Sequence, residues 1–552
     1  KIYITDDNPR NENPKKIRQS ILKFIDSKKA IEIGDRSKAI YHSLINSNPN
    51  EIILVAGKGH EALQDYGKKT IEVSDYQIVK NVKIKGKKIS IKNLDFLENR
   101  KTINNLLRKN IKKGYLGVSI NSKNVKKNNI FVAIKGKNND GHNFLKEALK
   151  KGAKYCIVSK NYKNRSNNKL ITVEDTKKFL NRLAILKRLN SRANIIAITG
   201  SSGKTTIKDL TGKLLNKFGK TFYSQRSYNN HYGVPLSLCN LEESHKFGVF
   251  EIGMNKSGEI NSLSNLVKPN IGVITNVAEA HIENFKNVRK IAEAKSEIIN
   301  NISKKGSLII NRDGKFYEYF KKKAIKKNIK LFSFGLNKNA DVYPIKIEKN
   351  LDRIFLHARV FKNTYRLSFR GHYVVNILNI LTILAVMNLD IKKIYGELKK
   401  ISLVEGRGKI YKVKHKKKFF NFIDESYNAN PLSMKESINR LSNLNIKKFK
   451  KYILLGDMLE LGKKSNSLHQ NLSKVINKSS IDKLFVHGKD IMTTYKFVKK
   501  SKQGNILQEK ADFYEALIPI IKKNDFLMIK GSNATGLHKI SKKILKGKNN
   551  VI

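Results

Sequence analysis

The stretch that most narrows what this chain can fold into is "AITGSSGKTT", residues 197–206. An apolar strand pattern, "NIIAITG", runs into a glycine-rich turn and then into a helical pattern, "IKDLTGKLLNKF". Strand, turn and helix in that order let backbone N–H groups and a helix N-terminus hold a phosphate. The usual spacing places four residues between the first glycine and Gly-Lys-Ser/Thr. Here that place belongs to Ile198, and the glycine comes later, at Gly200. The turn is therefore expected to be tighter than usual. Gly200, Ser201, Ser202, Gly203 and Thr206 would form the cradle. Lys204 would neutralise the β- and γ-phosphates of ATP, and the Thr205 hydroxyl would ligate Mg²⁺. A glycine turn feeding an ordinary helix is the alternative, and the Gly-Lys-Thr-Thr run in this context favours the phosphate site.

Further apolar strands follow, "GVFEIG", "IGVITNVA" and "GSLIIN", separated by helical patterns. Such alternation predicts an α/β fold with a mainly parallel sheet and helices on both faces. In an open sheet of this kind the carboxyl ends of the strands face the ligand crevice. Glu251 ends one strand and His281 follows another, so a carboxylate and an imidazole are placed as plausible Mg²⁺ ligands. Lys295, in "IAEAKSEII", reads from composition alone as a solvated helical lysine. Near the C-terminus "FFNFIDES", "KYILLGD", "KLFVHG" and "DFLMIKGS" predict a second doubly wound sheet. Boundaries are expected to divide the chain into 1–95, 96–188, 189–368 and 369–552. In the first part, "EIILVAG" (51–57) reads as a buried parallel strand and residues 14–29 as an amphipathic helix.

Charge tests the obvious competing class. The formal net charge is +66, and so large an excess raises nucleic acid as a partner. The lysines are spread evenly, and no Arg-rich arm, zinc-ligand cluster or RNA-binding aromatic motif accompanies them. A solvated lysine surface is favoured and no nucleic-acid partner is expected, with a basic ATP-dependent nucleic-acid binder kept as the rival from another class. Two cysteines, Cys156 and Cys239, lie in apolar stretches and exclude a disulfide framework. They fit a cytoplasmic protein. No apolar run reaches membrane-spanning length, so no membrane span is expected.

At "GSSGKTT", "NNHYGVPLSL" (229–238), "FEIGMNKSGEI", "ITNVAEAHIENF" with "IAEAKSEI", and "DESYNANPLSM" (424–434), the chain resembles the Mur ligase family, ATP-dependent amide ligases of peptidoglycan synthesis. "LLGDMLELG" (454–462) and "IKGSNA" support the resemblance, which covers about residues 110–552. It implies a P-loop central domain and a Rossmann-like C-terminal domain. Within the family it points to the type that joins D-alanyl-D-alanine to UDP-N-acetylmuramoyl-tripeptide through an acyl phosphate, acting as a monomer. Another amide ligase of the superfamily, such as a folylpolyglutamate synthase, is the nearer alternative. The resemblance implies that Glu251 and His281 hold magnesium. It also implies that Lys295 is carbamylated and helps to place a second Mg²⁺. Asn311, with Asp313 beside it, would contact adenine, and Arg407 would lie near the phosphates. Asn428, Asn430 and Pro431 would lie near the incoming dipeptide. Ser122, Lys123, Lys135 and Gly136 would contact the UDP substrate in an N-terminal domain. There the family's Asp-Ser-Arg is replaced by Asn121-Ser122-Lys123, which removes a bidentate arginine fork.

The opening residues resemble a different member of the same family. "TDDNPRNENP" (5–14) and "VAGKGHEALQDY" (55–66) match the C-terminal domain of the type that adds meso-diaminopimelate. The resemblance implies that Asp7, Asn8, Pro9 and Arg10 bind the free carboxylate and amine of that amino acid, with Gly57 and Glu61 completing the pocket. No phosphate loop precedes this module and the chain opens on Lys1. A truncated fusion of two ligases, or a leftover domain joined to a complete one, is the expectation.

Overall fold

The computed structural model describes residues 1–27, 29–47, 51–57, 61, 63–67, 70–75, 78–79, 116–136, 138–163, 167–350, 353–371, 373–400, 405–415, 418–444, 448–507, 516–546 and 548–551. The chain divides into two compact units, residues 1–113 and 114–552. The expected boundary at 95/96 lies outside the described residues.

In the first unit, β1 (Ile2–Ile4) pairs in parallel with β2 (Ala30–Glu32). The helix Pro14–Leu22 starts at Asn13, whose side chain accepts from Lys15 and Lys16, and has proline in its first turn. It ends earlier than residue 29. A second helix, Arg36–Ile45, follows, and β3 (Leu63–Asp65) pairs antiparallel with β4 (Thr70–Glu72). The buried strand expected at 51–57 is not formed. Ile52 is 92% exposed and Leu54 87%. An apolar strand needs a paired neighbour and cover on both faces, and the described residues of this unit give it neither. Ala39, Ile40, Leu44 and Val73 are buried in this unit, and Arg36 meets both oxygens of Asp75 at 2.7 Å.

The second unit begins with a parallel sheet in the order β5 (Gly117–Ser119), β6 (Asn129–Val132), β7 (Tyr155–Ser159), β8 (Leu170–Val173). Phe131, Ala148, Cys156 and Val158 make its core. The helix Thr176–Asn190, capped by Asp175, leads to the central domain.

There, among the described residues, β9 (Asn194–Thr199), β10 (Thr221–Tyr223), β11 (Phe247–Glu251), β12 (Ile271–Ile274), β13 (Ser307–Asn311), β14 (Lys330–Phe334), β15 (Val342–Lys349), β16 (Arg353–Val360) and β17 (Asn363–Arg370) form one sheet, in the order β10-β11-β9-β12-β13-β14-β15-β16-β17. Pairing is parallel from β10 to β15 and antiparallel for β15–β16–β17. The β11, β9 and β12 neighbours make β9 the point at which the chain turns to the other side of the sheet. Helices Lys204–Leu215 and Val374–Val386 pack into the core of this sheet with Ile196, Ile198, Val273, Leu356 and Phe369. The sequence division at 368/369 had assigned the second helix to the next domain. Its apolar residues place it here, because Val374, Ile377, Leu378 and Leu381 are covered by the central sheet.

The C-terminal domain is a sheet in the order β22-β21-β20-β23-β19-β18-β24. Its parallel part runs β22 (Gln503–Ile506), β21 (Lys483–His487), β20 (Lys451–Gly456), β23 (Phe526–Lys530), β19 (Lys418–Glu425). Antiparallel β18 (Lys409–His415) and β24 (Lys548–Val551) extend it. No helix among the described residues is long and apolar enough to cross a membrane.

Candidate active site

The helix Lys204–Leu215 begins at Gly203, whose φ of 81° suits glycine. Its first amides have no partner within the helix and face a cleft. The tighter turn is real and has a steric cause. Gly200 has φ +150°, and a Cβ there would lie 1.8 Å from the Thr275 hydroxyl. Loop and β12 are laced together: Thr275 Oγ1 donates to Ser202 O at 2.6 Å, and Ser202 N donates to Asn276 Oδ1 at 2.8 Å. Ser201 N donates to Asn276 O at 3.0 Å. The amides of Ser201 and Ser202 are thus committed to Asn276, which leaves those from Gly203 onward to meet an anion. Lys204 Nζ folds back on Gly200 O at 2.7 Å. Burial lowers its pKa, Arg407 lowers it further, and Glu251 opposes both.

The strands beside β9 deliver the other groups. Glu251 is the last residue of β11, opposite Ile198 in register. It is 1% exposed; Oε1 accepts from Asn229 Nδ2 at 2.7 Å, while Oε2 is buried with no hydrogen-bond partner among the described residues. An unpartnered buried carboxylate oxygen is costly without a cation. His281 follows β12 with φ 58°, and its Nδ1 lies 2.5 Å from Glu460 Oε2. Lys295 ends the helix Val288–Lys295 and is 2% exposed. Burial and then the charge of Lys204 push its pKa well below the ordinary lysine value. Its sequence reading as a solvated lysine is therefore overturned.

The C-terminal domain closes over this set. Arg407 Nη2 donates to Thr205 Oγ1 at 3.0 Å, and its guanidinium sits 4.3 Å from the Tyr427 ring centroid. Tyr427 Oη meets Ser227 Oγ at 2.6 Å, and Ser227 Oγ meets Thr205 Oγ1 at 3.3 Å. Asn430 caps the helix Pro431–Ser442 and reaches Ser201 O through Nδ2 at 3.3 Å. Asn428 O accepts from buried Lys530 at 3.2 Å, and Lys530 and Arg440 share the carboxylate of Glu425. One cavity of about 1900 Å³ is lined by the loop, Glu251, His281, Lys295, Asn311, Asp313, Arg407, Asn428 and Asn430. Asn311 ends β13, and both oxygens of Asp313 accept backbone amides, from Leu336 at 2.6 Å and Asn337 at 3.0 Å.

The sequence had named no role for Asn229, Asn276, Ser227, Tyr427, Glu460 or Lys208. All but Ser227 lay in stretches already singled out. Lys208 is fully buried and ties the loop helix to Ser224 O at 2.6 Å and Arg226 O at 2.8 Å, just before Ser227. Its position on the buried face of the helix was the available signal.

The remaining sequence-named residues lie elsewhere. Ser122 is buried and donates to Glu147 Oε2 at 2.7 Å, Lys123 is exposed, and Lys135 bridges to Asp140. Gly136 lines a separate shallow hollow with Ile120 and Tyr232. In the first unit, Asn8 Nδ2 donates to Glu61 Oε2 at 3.2 Å, and a Cβ on Gly57 would meet Asp7 Oδ2 at 2.8 Å. The two motifs do come together there, with Pro9 buried and Arg10 exposed at φ 52°.

Comparison with known proteins fits this arrangement. Residues 115–188 match the Mur ligase family catalytic domain, 198–387 the Mur ligase middle domain, and 408–533 the Mur ligase glutamate ligase domain. The UDP-N-acetylmuramoyl-tripeptide--D-alanyl-D-alanine ligase of Rickettsia prowazekii is 32% identical over 407 residues, 73% of this chain and 89% of the relative. The chain belongs to the Mur ligase family. A Bacillus subtilis Mur ligase of the same name is 29% identical, over 74% of this chain and 88% of its own. Among solved Mur ligases, MurF from Acinetobacter baumannii superposes with a TM-score of 0.70 at 25% identity, covering 81% of this chain and 98% of that one. The MurF ligase of Thermotoga maritima, solved in complex with ADP, gives 0.63 at 28% identity over 78% and 97%.

Proposed function

We propose that residues 114–552 form an ATP-dependent ligase that joins D-alanyl-D-alanine to UDP-N-acetylmuramoyl-tripeptide, giving the pentapeptide, ADP and phosphate. The observation that carries this reading is the convergence, in one cleft, of a phosphate loop, the unpaired Glu251 oxygen, His281 and buried Lys295 with Arg407 and Asn430 from the facing domain. A carboxylate is a poor acyl donor. Its oxygen attacks the γ-phosphate, giving an acyl phosphate and ADP. The dipeptide amine then attacks the carbonyl carbon, and phosphate leaves. In phosphoryl transfer the protein positions groups and offsets charge. Lys204 and the free amides after Gly203 would hold the phosphates. Arg407, stacked on Tyr427, would meet charge from the other side, and Asn311 would contact adenine. Asn428, Asn430 and Pro431 would border the dipeptide. Ser122, Lys123, Lys135 and Gly136 would contact the UDP substrate.

The donor set fits magnesium. Thr205, Glu251 and His281 would hold it, and bound Mg²⁺ would neutralise phosphate charge. Lys295 fits carbamylation, since a buried lysine of lowered pKa offers a neutral amine. Nitrogen attack on CO₂ forms an N–C bond, and loss of the ammonium proton leaves a carbamate that would serve as another oxygen ligand. Proposed boundaries follow the cores: a UDP-substrate domain to about residue 190, a nucleotide domain to about 400, and a dipeptide domain beyond.

Phosphate release should require both UDP-N-acetylmuramoyl-tripeptide and D-alanyl-D-alanine, and Lys204→Ala should abolish it. Undiminished turnover by that variant would remove Lys204 from the site. For the first unit, the Asn8–Glu61 contact favours a second reading: a remnant binding site for a diamino acid, with Asp7, Pro9, Arg10 and Gly57 around it. Titration of meso-diaminopimelate into the chain tests it, and absence of heat refutes it.

A further inference from the structure

The motif "LGDMLELG" reaches the cleft at Leu459 and Glu460, and the proposed chemistry leaves it unexplained. Its loop follows β20 and is braced on every side but the tip. Asp457 accepts from Ile491 N at 2.8 Å and Lys489 N at 3.1 Å. Met458 N donates to buried His469 Nε2 at 3.0 Å, and Leu459 N to Ser532 Oγ at 3.0 Å. Met458 and Leu461 are buried. At the tip, Glu460 has φ 62° and Gly462 φ 53°. The tip lies against the turn Ile282–Asn284 of the central domain. Glu283 N donates to Glu460 O at 3.2 Å, and a Cβ on Gly462 would come within 3.2 Å of Glu283. There Glu460 Oε2 meets His281 Nδ1 at 2.5 Å.

Stability does not account for this contact. The two side chains are 53% and 27% exposed, and an exposed ion pair contributes little. It contributes less than the cost of two non-glycine residues, His281 and Glu460, held in the left-handed region. What the contact does fix is the imidazole. A ring held in this way is the usual outer support of a metal-ligating histidine.

We propose that Glu460 is a positioning residue for His281, so that the metal-binding side of the nucleotide site is completed only when the loop of the C-terminal domain is docked on the central domain. The inference rests on the reading of His281 as a magnesium ligand. It gives the motif a role: the domain that receives the dipeptide also tunes the site that holds the nucleotide. By linkage, metal–nucleotide binding must then favour docking by the same factor.

The test uses the full chain and calorimetric titration of ADP with and without Mg²⁺, backed by small-angle scattering. Wild-type protein should bind ADP more tightly with Mg²⁺ and become more compact on binding. Glu460→Ala should weaken Mg·ADP binding by about 10- to 100-fold, the usual effect of removing such a partner, and leave metal-free ADP binding unchanged. Glu460→Gln, which keeps an acceptor oxygen and the loop's shape, should restore most of the loss. Equal weakening with and without metal would mean that Glu460 only shapes the loop, and would overturn the proposal. So would unchanged Mg·ADP binding by Glu460→Ala. A wild-type protein that gains nothing from Mg²⁺ would instead refute the reading of the metal site itself.

Discussion

Replacing Gly200 by alanine tests the geometry on which the nucleotide site depends. The substitution adds one methyl group and meets two separate obstacles. The backbone at 200 has φ +150°, a conformation other residues adopt at a cost of about 1–3 kcal/mol. The new methyl would also lie 1.8 Å from Thr275 Oγ1 and 3.2 Å from Asn276 N. Thr275 must then turn away from Ser202 O, which it now meets at 2.6 Å; a lost hydrogen bond of this kind is worth about 0.5–1.5 kcal/mol. If the loop escapes by leaving its cradle, the sum of about 1.5–4.5 kcal/mol opposes nucleotide binding, a weakening of about 10- to 2,000-fold. Calorimetric titration of Mg·ADP reads this directly. The double variant Gly200→Ala/Thr275→Ala removes the steric partner but keeps the backbone cost. It should bind more weakly than wild type and more tightly than the single variant. Wild-type affinity in Gly200→Ala would show that the tight turn is not what shapes the site.

Other substitutions separate the parts. Lys295→Ala should lower turnover at least 100-fold by removing a group that aligns the reacting phosphate, and added short-chain carboxylate should restore part of it if a carbamate is what Lys295 supplies; no rescue at any concentration would count against carbamylation. Arg36→Ala breaks a buried two-point pair with Asp75 and should destabilise the first unit by about 3–5 kcal/mol. Hydrogen exchange across residues 1–79 should rise while ligation by residues 114–552 is unchanged, and a loss of ligation would show that the units are functionally joined. Burial pushes the Cys156 thiol up to about 12 and that of Cys239 upward as well. The fold disfavours both thiolates, so their contribution to stability is complete below the unfolded thiol range and lost as pH rises through it toward the folded values. At pH 8 a thiol reagent should label neither in the native protein and both after denaturation; rapid native labelling would contradict the core.

The sequence made the nucleotide side of the cleft readable because local chemistry fixes it. A strand, a glycine turn with Gly-Lys-Thr-Thr and a helix start in that order favour a loop of this kind, and strand ends beside it face the same crevice. That rule placed Glu251 at the crevice, whereas the assignment of Glu251 and of His281, set beyond the end of β12, to a metal rested on the family resemblance. Lys295 did not yield to it, because a lysine on a helix reads as solvated until the packing around it is seen. The commitment of Ser201 and Ser202 amides to Asn276 was equally hidden, since Asn276 comes from the loop after β12. The helix Val374–Val386 illustrates the limit for domains: its apolar pattern demands burial but does not say against which sheet. "EIILVAG" shows the reverse case, in which a strand pattern is present and the described residues around it supply no sheet to join.

Thr205 shows how closely nucleotide binding and domain docking are joined. A hydroxyl has one proton and two lone pairs. Arg407 Nη2 donates to it, and Ser227 Oγ lies at 3.3 Å, able to accept its proton. One lone pair then remains for a cation, so Arg407 need not leave for magnesium to arrive. The same oxygen can hold the arginine of one domain, the serine of the other and a metal ion at once. Ser227 in turn meets Tyr427, whose ring carries the Arg407 guanidinium. The loop of four groups closes on itself, so loss of any one loosens the rest. An acyl phosphate in a cleft of about 1900 Å³ is exposed to hydrolysis unless the two walls stay together. A threonine proposed to hold the metal ion that also bonds the opposite wall would make closure and nucleotide binding parts of one equilibrium.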